Sequence, residues 1–71
     1  MSSKLQAIIF NKNNWTVIEA KNYIKLNNFK PLKNPHITNN FIRFRLVDPK
    51  EFKHFITKSD KSGIEYIIGF Y

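Results

Sequence analysis

Seventy-one residues, with twelve Lys and Arg against five Asp and Glu and a net charge of +7, define one small basic domain. The absence of cysteine excludes a disulfide framework and a thiolate zinc site. A domain of this size buries only about 60% of the surface its unfolded chain exposes, so its core must be dense in large apolar groups; seven Phe, three Tyr, one Trp and ten Ile supply them. The positive excess favours anionic partners: nucleic acid, an acidic protein surface or anionic lipid. The competing explanation is solubility, because ten of the twelve cations are lysines scattered along the chain without a block of like charge. Lys, Asn and Ile together fill 29 positions, all with A/T-rich codons, so single asparagines are not read as site residues.

Lys4 to Phe10, KLQAIIF, is rich in β-branched and aromatic residues and predicts a first strand. Asn11 to Asn14 is polar punctuation. The segment WTVIEAKNYIKLNNF then carries the signals for both ends of a helix. Thr16 and Glu19 have the spacing of a capping box, with Trp15 at N′ and Ala20 at N4, the positions of a hydrophobic staple. Val17, Ala20, Tyr23 and Ile24 form an apolar stripe at spacings of three and four. Asn28 suits the left-handed C′ position, Phe29 at C″ can fold back onto Ile24 at C3, and Pro31 forbids continuation.

KPLKNPHI is a basic, proline-bearing connection. TNNFIRFRLV predicts the second strand, with Ile42, Phe44 and Leu46 on one face and Phe41, Arg43, Arg45 and Val47 on the other. In DPKEFKHFI, Asp48 can cap, Pro49 suits the first helical position, and Phe52 and Phe55 are three apart, which predicts a short helix. TKSDKSG is a turn-rich loop. GIEYIIGFY closes the chain as a strand that is apolar on both faces for part of its length, which predicts a central place in the sheet. The expected fold is α+β, in the order β-α-β-(short helix)-β. It has a three-stranded, mainly antiparallel sheet with one main helix packed on one face, as a single domain over residues 1–71. The expected core is Ile9, Trp15, Ala20, Ile24, Phe29, Ile42, Phe44, Leu46, Phe52, Phe55, Ile64 and Ile68.

WTVIEAKNYIKLNNFKP and FIRFRLVDPKEFKHFITK, with the closing GIEYIIG, resemble a short uncharacterised domain that recurs in proteins of tailed bacteriophages and large DNA viruses. Trp15, Thr16, Glu19, Ala20, Tyr23, Ile24 and Phe29 carry the first part of the likeness. Arg43, Phe44, Arg45, Pro49, Phe52, Phe55, Thr57, Gly63, Ile64 and Gly69 carry the second. Together they span about 50 of the 71 residues. Asn28 departs from the usual helix-ending Gly, and Ile56 stands where an Arg is common, so the likeness carries over no third arginine. The resemblance implies a viral accessory module associated with the head or genome, acting in an infected host cell or inside the virion. It implies no chemistry.

The residues themselves argue against catalysis. His36 and His54 are the only imidazoles, no serine has a readable His-carboxylate constellation, and the five carboxylates form no acid/base pair. Two histidines 18 residues apart match no zinc spacing, and Gly63 and Gly69, the only glycines, make no phosphate loop. No enzyme activity, metal or cofactor is expected. Membrane binding is also not expected, because TVIEAKNYIKL has only two lysines and an internal glutamate. The patch AIIF is too short for a signal-peptide core, so an intracellular rather than secreted product is expected.

An uncovered sheet face bearing arginines and aromatics can bind nucleic acid, dock an acidic protein, pair with another copy of the chain, or keep an edge soluble. FIRFRLV is loosely similar to the basic-aromatic alternation of RNA-recognition strands but lacks the glycine spacing of that motif. Net charge tilts the expectation towards nucleic acid. The candidate set is Phe41, Arg43, Arg45 and Tyr71, with Lys30 and Lys33 of the basic connection; Lys21, Lys25, Lys50, Lys53, Lys58 and Lys61 extend a phosphate-tracking rim.

Overall fold

The computed structural model describes residues 2–71. Strands β1 (Ser3–Asn11), β2 (His36–Ile37), β3 (Phe41–Arg45), β4 (His54–Ser59) and β5 (Ile64–Phe70) form one sheet in the order β2-β3-β1-β5-β4. Every neighbouring pair is antiparallel. Helix α1 (Val17–Leu26) packs on one face, so the α+β class and single main helix are as expected. The sheet has five strands rather than three.

Both additional strands lie at edges, where little burial marks them. β2 is two residues long and pairs His36 with Arg43 and Ile37 with Ile42. It ends in a tight turn in which Thr38 N donates to Phe41 O at 2.9 Å and Thr38 Oγ1 accepts from Phe41 N at 3.0 Å. β4 takes the last three residues of the expected short helix, His54–Ile56. Only Pro49–Glu51 coils, as a single 3-10 turn whose N-cap Asp48 accepts from Lys50 N at 2.9 Å. Phe52 is already extended, so Phe52 and Phe55 do not share a helix face, although their rings meet edge-on at 5.8 Å. All six residues of β4 are exposed, so no burial period distinguishes this strand from a loop.

The helix obeys its sequence signals at both ends. Thr16 Oγ1 accepts from Glu19 N at 3.1 Å, and Thr16 N donates to Glu19 Oε1 at 2.9 Å, completing the capping box. At the other end Asn28 has a positive φ of 60°. Asn28 N donates to Lys25 O and Phe29 N to Ile24 O, each at 3.1 Å, the two bonds of a Schellman motif. Ala20 and Ile24 are the fully covered residues of α1.

The core lies between α1 and β1, β3 and β5: Ile8, Phe10, Ala20, Ile24, Ile42, Phe44 and Ile64. Phe10 is its hub, meeting Trp15, Tyr23 and Phe44 edge-on at centroid distances of 5.1, 5.6 and 5.6 Å. Ile9, expected in the core, turns to the opposite face, and Ile8 and Phe10 take its place. The run Ala7-Ile8-Ile9-Phe10 is apolar in both parities, so alternation alone cannot choose its inner face. A bulge then resets the phase. The β1–β5 register passes from Leu5↔Ile68 to Ala7↔Ile67, leaving Gln6 unopposed. Gln6 is fully buried, and its Nε2 donates to Val47 O at 2.9 Å. Its own carbonyl accepts from Leu46 N and Val47 N, which draws the chain out of the β3 ladder after Arg45.

One other core expectation changes: Phe55 is 42% exposed. Phe52 is buried as expected, packed against Gly69 rather than within the main cluster. A Cβ on Gly69 would clash with the Phe52 ring carbons, so this close approach requires glycine. Trp15, Phe29 and Leu46 are half-buried around the core, and Ile68 is half-buried on β5. β5 has neighbours on both sides, but β1 holds the centre.

Candidate functional site

α1 shields one face of the sheet; on the other, Phe52 covers Gly69 and Ala7 is fully buried, while the β2–β3 half around Phe41, Arg43 and Arg45 stays open. Ladder partners define rows across that open face. His36, Arg43, Ile9, Glu65 and Ser59 form one row spanning all five strands. Arg45, Ala7, Ile67 and Thr57 form the next. Alternation along β3 thus sends Ile42 and Phe44 into the core and Phe41, Arg43 and Arg45 to the open face, as the sequence predicts.

Beside these arginines lies a cleft of about 420 Å³ between β3, the connection before β2 and the 3-10 turn. Lys33, His36, Arg43, Arg45 and Lys50 line it, with Asp48 as its single carboxylate. That carboxylate accepts the Lys50 backbone N–H, so part of its capacity is already engaged. A bond from Leu32 N to Arg45 O, 2.9 Å, holds the connection against the end of β3 and shapes the cleft wall. Four permanent cations facing one carboxylate concentrate positive potential in a concave space, which raises the local concentration of anions. Arg43 is half-buried, and its Nε is a buried donor without a hydrogen-bond partner among the described residues.

The expected site residues do not all converge. Arg43, Arg45 and Lys33 line the cleft together. Phe41, 41% exposed, begins β3 and lines an adjoining pocket with Arg43. Lys30 is exposed on the connection but lines neither cavity. Lys33 also borders a wide groove of about 960 Å³ under the end of α1, with Lys21 and Lys25. Tyr71 follows β5, on the other side of β1 from the arginines, and its ring lies 4.9 Å from Phe52. Tyr71, Phe52 and Phe55 therefore make an aromatic cluster near the β4 edge, apart from the cleft.

Two participants carry no usable sequence signal. His36 reads as part of a connection, and it reaches the cleft only because a two-residue strand pairs it with Arg43. Glu65 sits on the open face of β5, separated from Arg43 by Ile9 in the same row. Lys50, one member of the broad lysine rim, enters the cleft because the 3-10 turn folds it back beside Arg45. His54 stacks on Phe70 with centroids 5.1 Å apart.

The groups with shifted ionisation lie elsewhere. Three donors, the Ser62 hydroxyl foremost, hold the Asp60 carboxyl below its ordinary range in the β4–β5 turn. Burial, then the Tyr23 hydroxyl, pushes the Tyr66 phenol up. Among the described residues no group of three His, Asp or Glu is placed to hold a metal ion, and no helix is long and apolar enough to cross a membrane. Compared with protein-family models, curated proteins and solved structures, the chain matches none.

Proposed function

We propose that this chain is a small non-enzymatic viral accessory module that binds nucleic acid, in association with the genome, through the β2–β3 half of its open sheet face. The observation that carries this reading is the cleft in which Lys33, His36, Arg43, Arg45 and Lys50 converge beside an exposed Phe41. Cations that track phosphates and an aromatic ring that stacks bases are the two elements of single-strand binding surfaces. The resemblance to a viral domain supports the accessory role, with action in an infected host cell or inside the virion.

Fluorescence anisotropy with short oligonucleotides tests the reading. Four phosphate-pairing cations give a slope of about −3 for log affinity against log salt on single strands. Arg45→Ala is expected to weaken binding and flatten that slope by about 0.7, without unfolding the domain. Absence of binding at ~50 mM salt would remove the nucleic-acid reading. A second reading, docking of an acidic protein or of another copy in virion assembly or regulation, is favoured by the unpaired β4 edge with the exposed Phe55 and Ile56 on it.

A further inference from the structure

The basic cleft adjoins a second cavity of different chemistry. This pocket, about 220 Å³, is lined by Ile9, His36, Thr38, Phe41, Arg43 and Glu65. His36 and Arg43 wall both spaces. One space is cationic, and the other has an apolar floor from Ile9 and Phe41 with a carboxylate at its rim. Phosphate and base have these same two chemistries, joined by a single sugar.

Glu65 is otherwise out of place on this face. A carboxylate in the same row as Arg43 repels a phosphate backbone, so it weakens simple phosphate tracking. It gains a purpose as an acceptor for base N–H groups, since an ionised carboxylate accepts at two oxygens and donates none. Its contact with Ser59 Oγ, at 3.5 Å, is too long to saturate it. Among the common bases guanine presents two adjacent donors, N1–H and N2–H, on its Watson–Crick edge. That edge is free only when the base is unpaired.

We infer that the open face takes single-stranded nucleic acid with one nucleotide seated across the two cavities. Its phosphate lies among Lys33, Arg43, Arg45 and Lys50; its base lies on Phe41 and Ile9; and Glu65 selects guanine. This rests on the nucleic-acid reading above. It adds strand state and base identity, and the two can fail separately.

The test compares three decamers by anisotropy at low salt: oligothymidine, the same with one central guanosine, and the same with one central adenosine. The guanosine decamer is expected to bind about tenfold tighter than oligothymidine. Glu65→Gln is expected to abolish that preference and, by removing a charge that repels phosphate, to tighten oligothymidine binding. Glu65→Asp, with the same charge on a shorter stem, is expected to reduce the preference but retain its sign, and Trp15 fluorescence verifies that each variant is folded. Equal, salt-sensitive binding of all three decamers overturns the base pocket and leaves the nucleic-acid reading standing. A preference that survives Glu65→Gln also overturns it, as does tighter binding of a duplex of the same length. Failure of every oligonucleotide to bind overturns both readings.

Discussion

Tyr66 on β5 and Tyr23 on α1 meet hydroxyl to hydroxyl at 2.9 Å, a polar bond at the margin of an apolar core. Burial, reinforced by that bond, raises the Tyr66 phenol above its ordinary value of 10.0. A raised folded-state pKa means that the fold favours the neutral phenol. Its stabilisation is therefore complete below pH ~10 and is lost as the pH rises beyond that value. Tyr66→Phe is expected to lower stability by about 1 kcal/mol at neutral pH, through loss of the Tyr23 bond. The difference from the parent protein is expected to shrink as the pH climbs above ~10. Urea midpoints followed by Trp15 fluorescence at stepped pH values measure it; a difference that stays constant would show that this phenol does not govern alkaline stability. Arg43 presents the opposite situation at the same scale, because its buried Nε has no hydrogen-bond partner among the described residues.

At the scale of elements, α1 is short, at ten residues, and helices of that length are marginal without tertiary support and capped ends. Its capping box and Schellman motif satisfy donors and acceptors that would otherwise be orphaned. Thr16→Ala is expected to cost about 1 kcal/mol, a fall in Tm of roughly 4–8 °C for a domain this small. Thr16→Ser, which keeps the oxygen, should recover most of it. Thermal melts by circular dichroism check both, and equal melting of all three proteins would mean that packing alone holds the helix. The β4–β5 hairpin is fixed by a different device. Asp60 Oδ1 accepts from Ser62 N, Ser62 Oγ and Ile64 N, while Gly63 takes a φ of 84° that side chains rarely adopt. Trp15 Nε1 donates to Ser62 O at 2.6 Å and ties this turn to the entry of α1.

Across the whole molecule, the exposed surface includes a free sheet edge as well as the basic cleft. β4 is a free edge with Phe55 and Ile56 each 42% exposed, a template for strand addition. Lys58 lies on that edge, Lys53 and Lys61 flank it, and a net charge of +7 repels a second copy. Sedimentation velocity at ~50 mM salt is therefore expected to show a monomer across concentrations, because screening is weak there. A dimer that grows with concentration and disappears in Ile56→Lys would favour self-association through β4 over the proposed nucleic-acid cleft.

Sequence alone determined the features that local chemistry specifies. Thr16 with Glu19 and Asn28 with Phe29 marked both ends of α1, because caps depend on residues a few positions apart. The same holds for FIRFR, whose strict alternation separates Ile42 and Phe44 from Arg43 and Arg45 whatever surrounds them. Tertiary structure decided what depends on distant partners. β2 and β4 exist through main-chain bonds to neighbours rather than through a buried face, so no apolar period announces them. The inner face of Ala7–Phe10 was chosen by packing against α1 and by the bulge at Gln6. The cleft, likewise, required a two-residue strand and a single 3-10 turn to bring His36 and Lys50 beside arginines that the chain keeps apart.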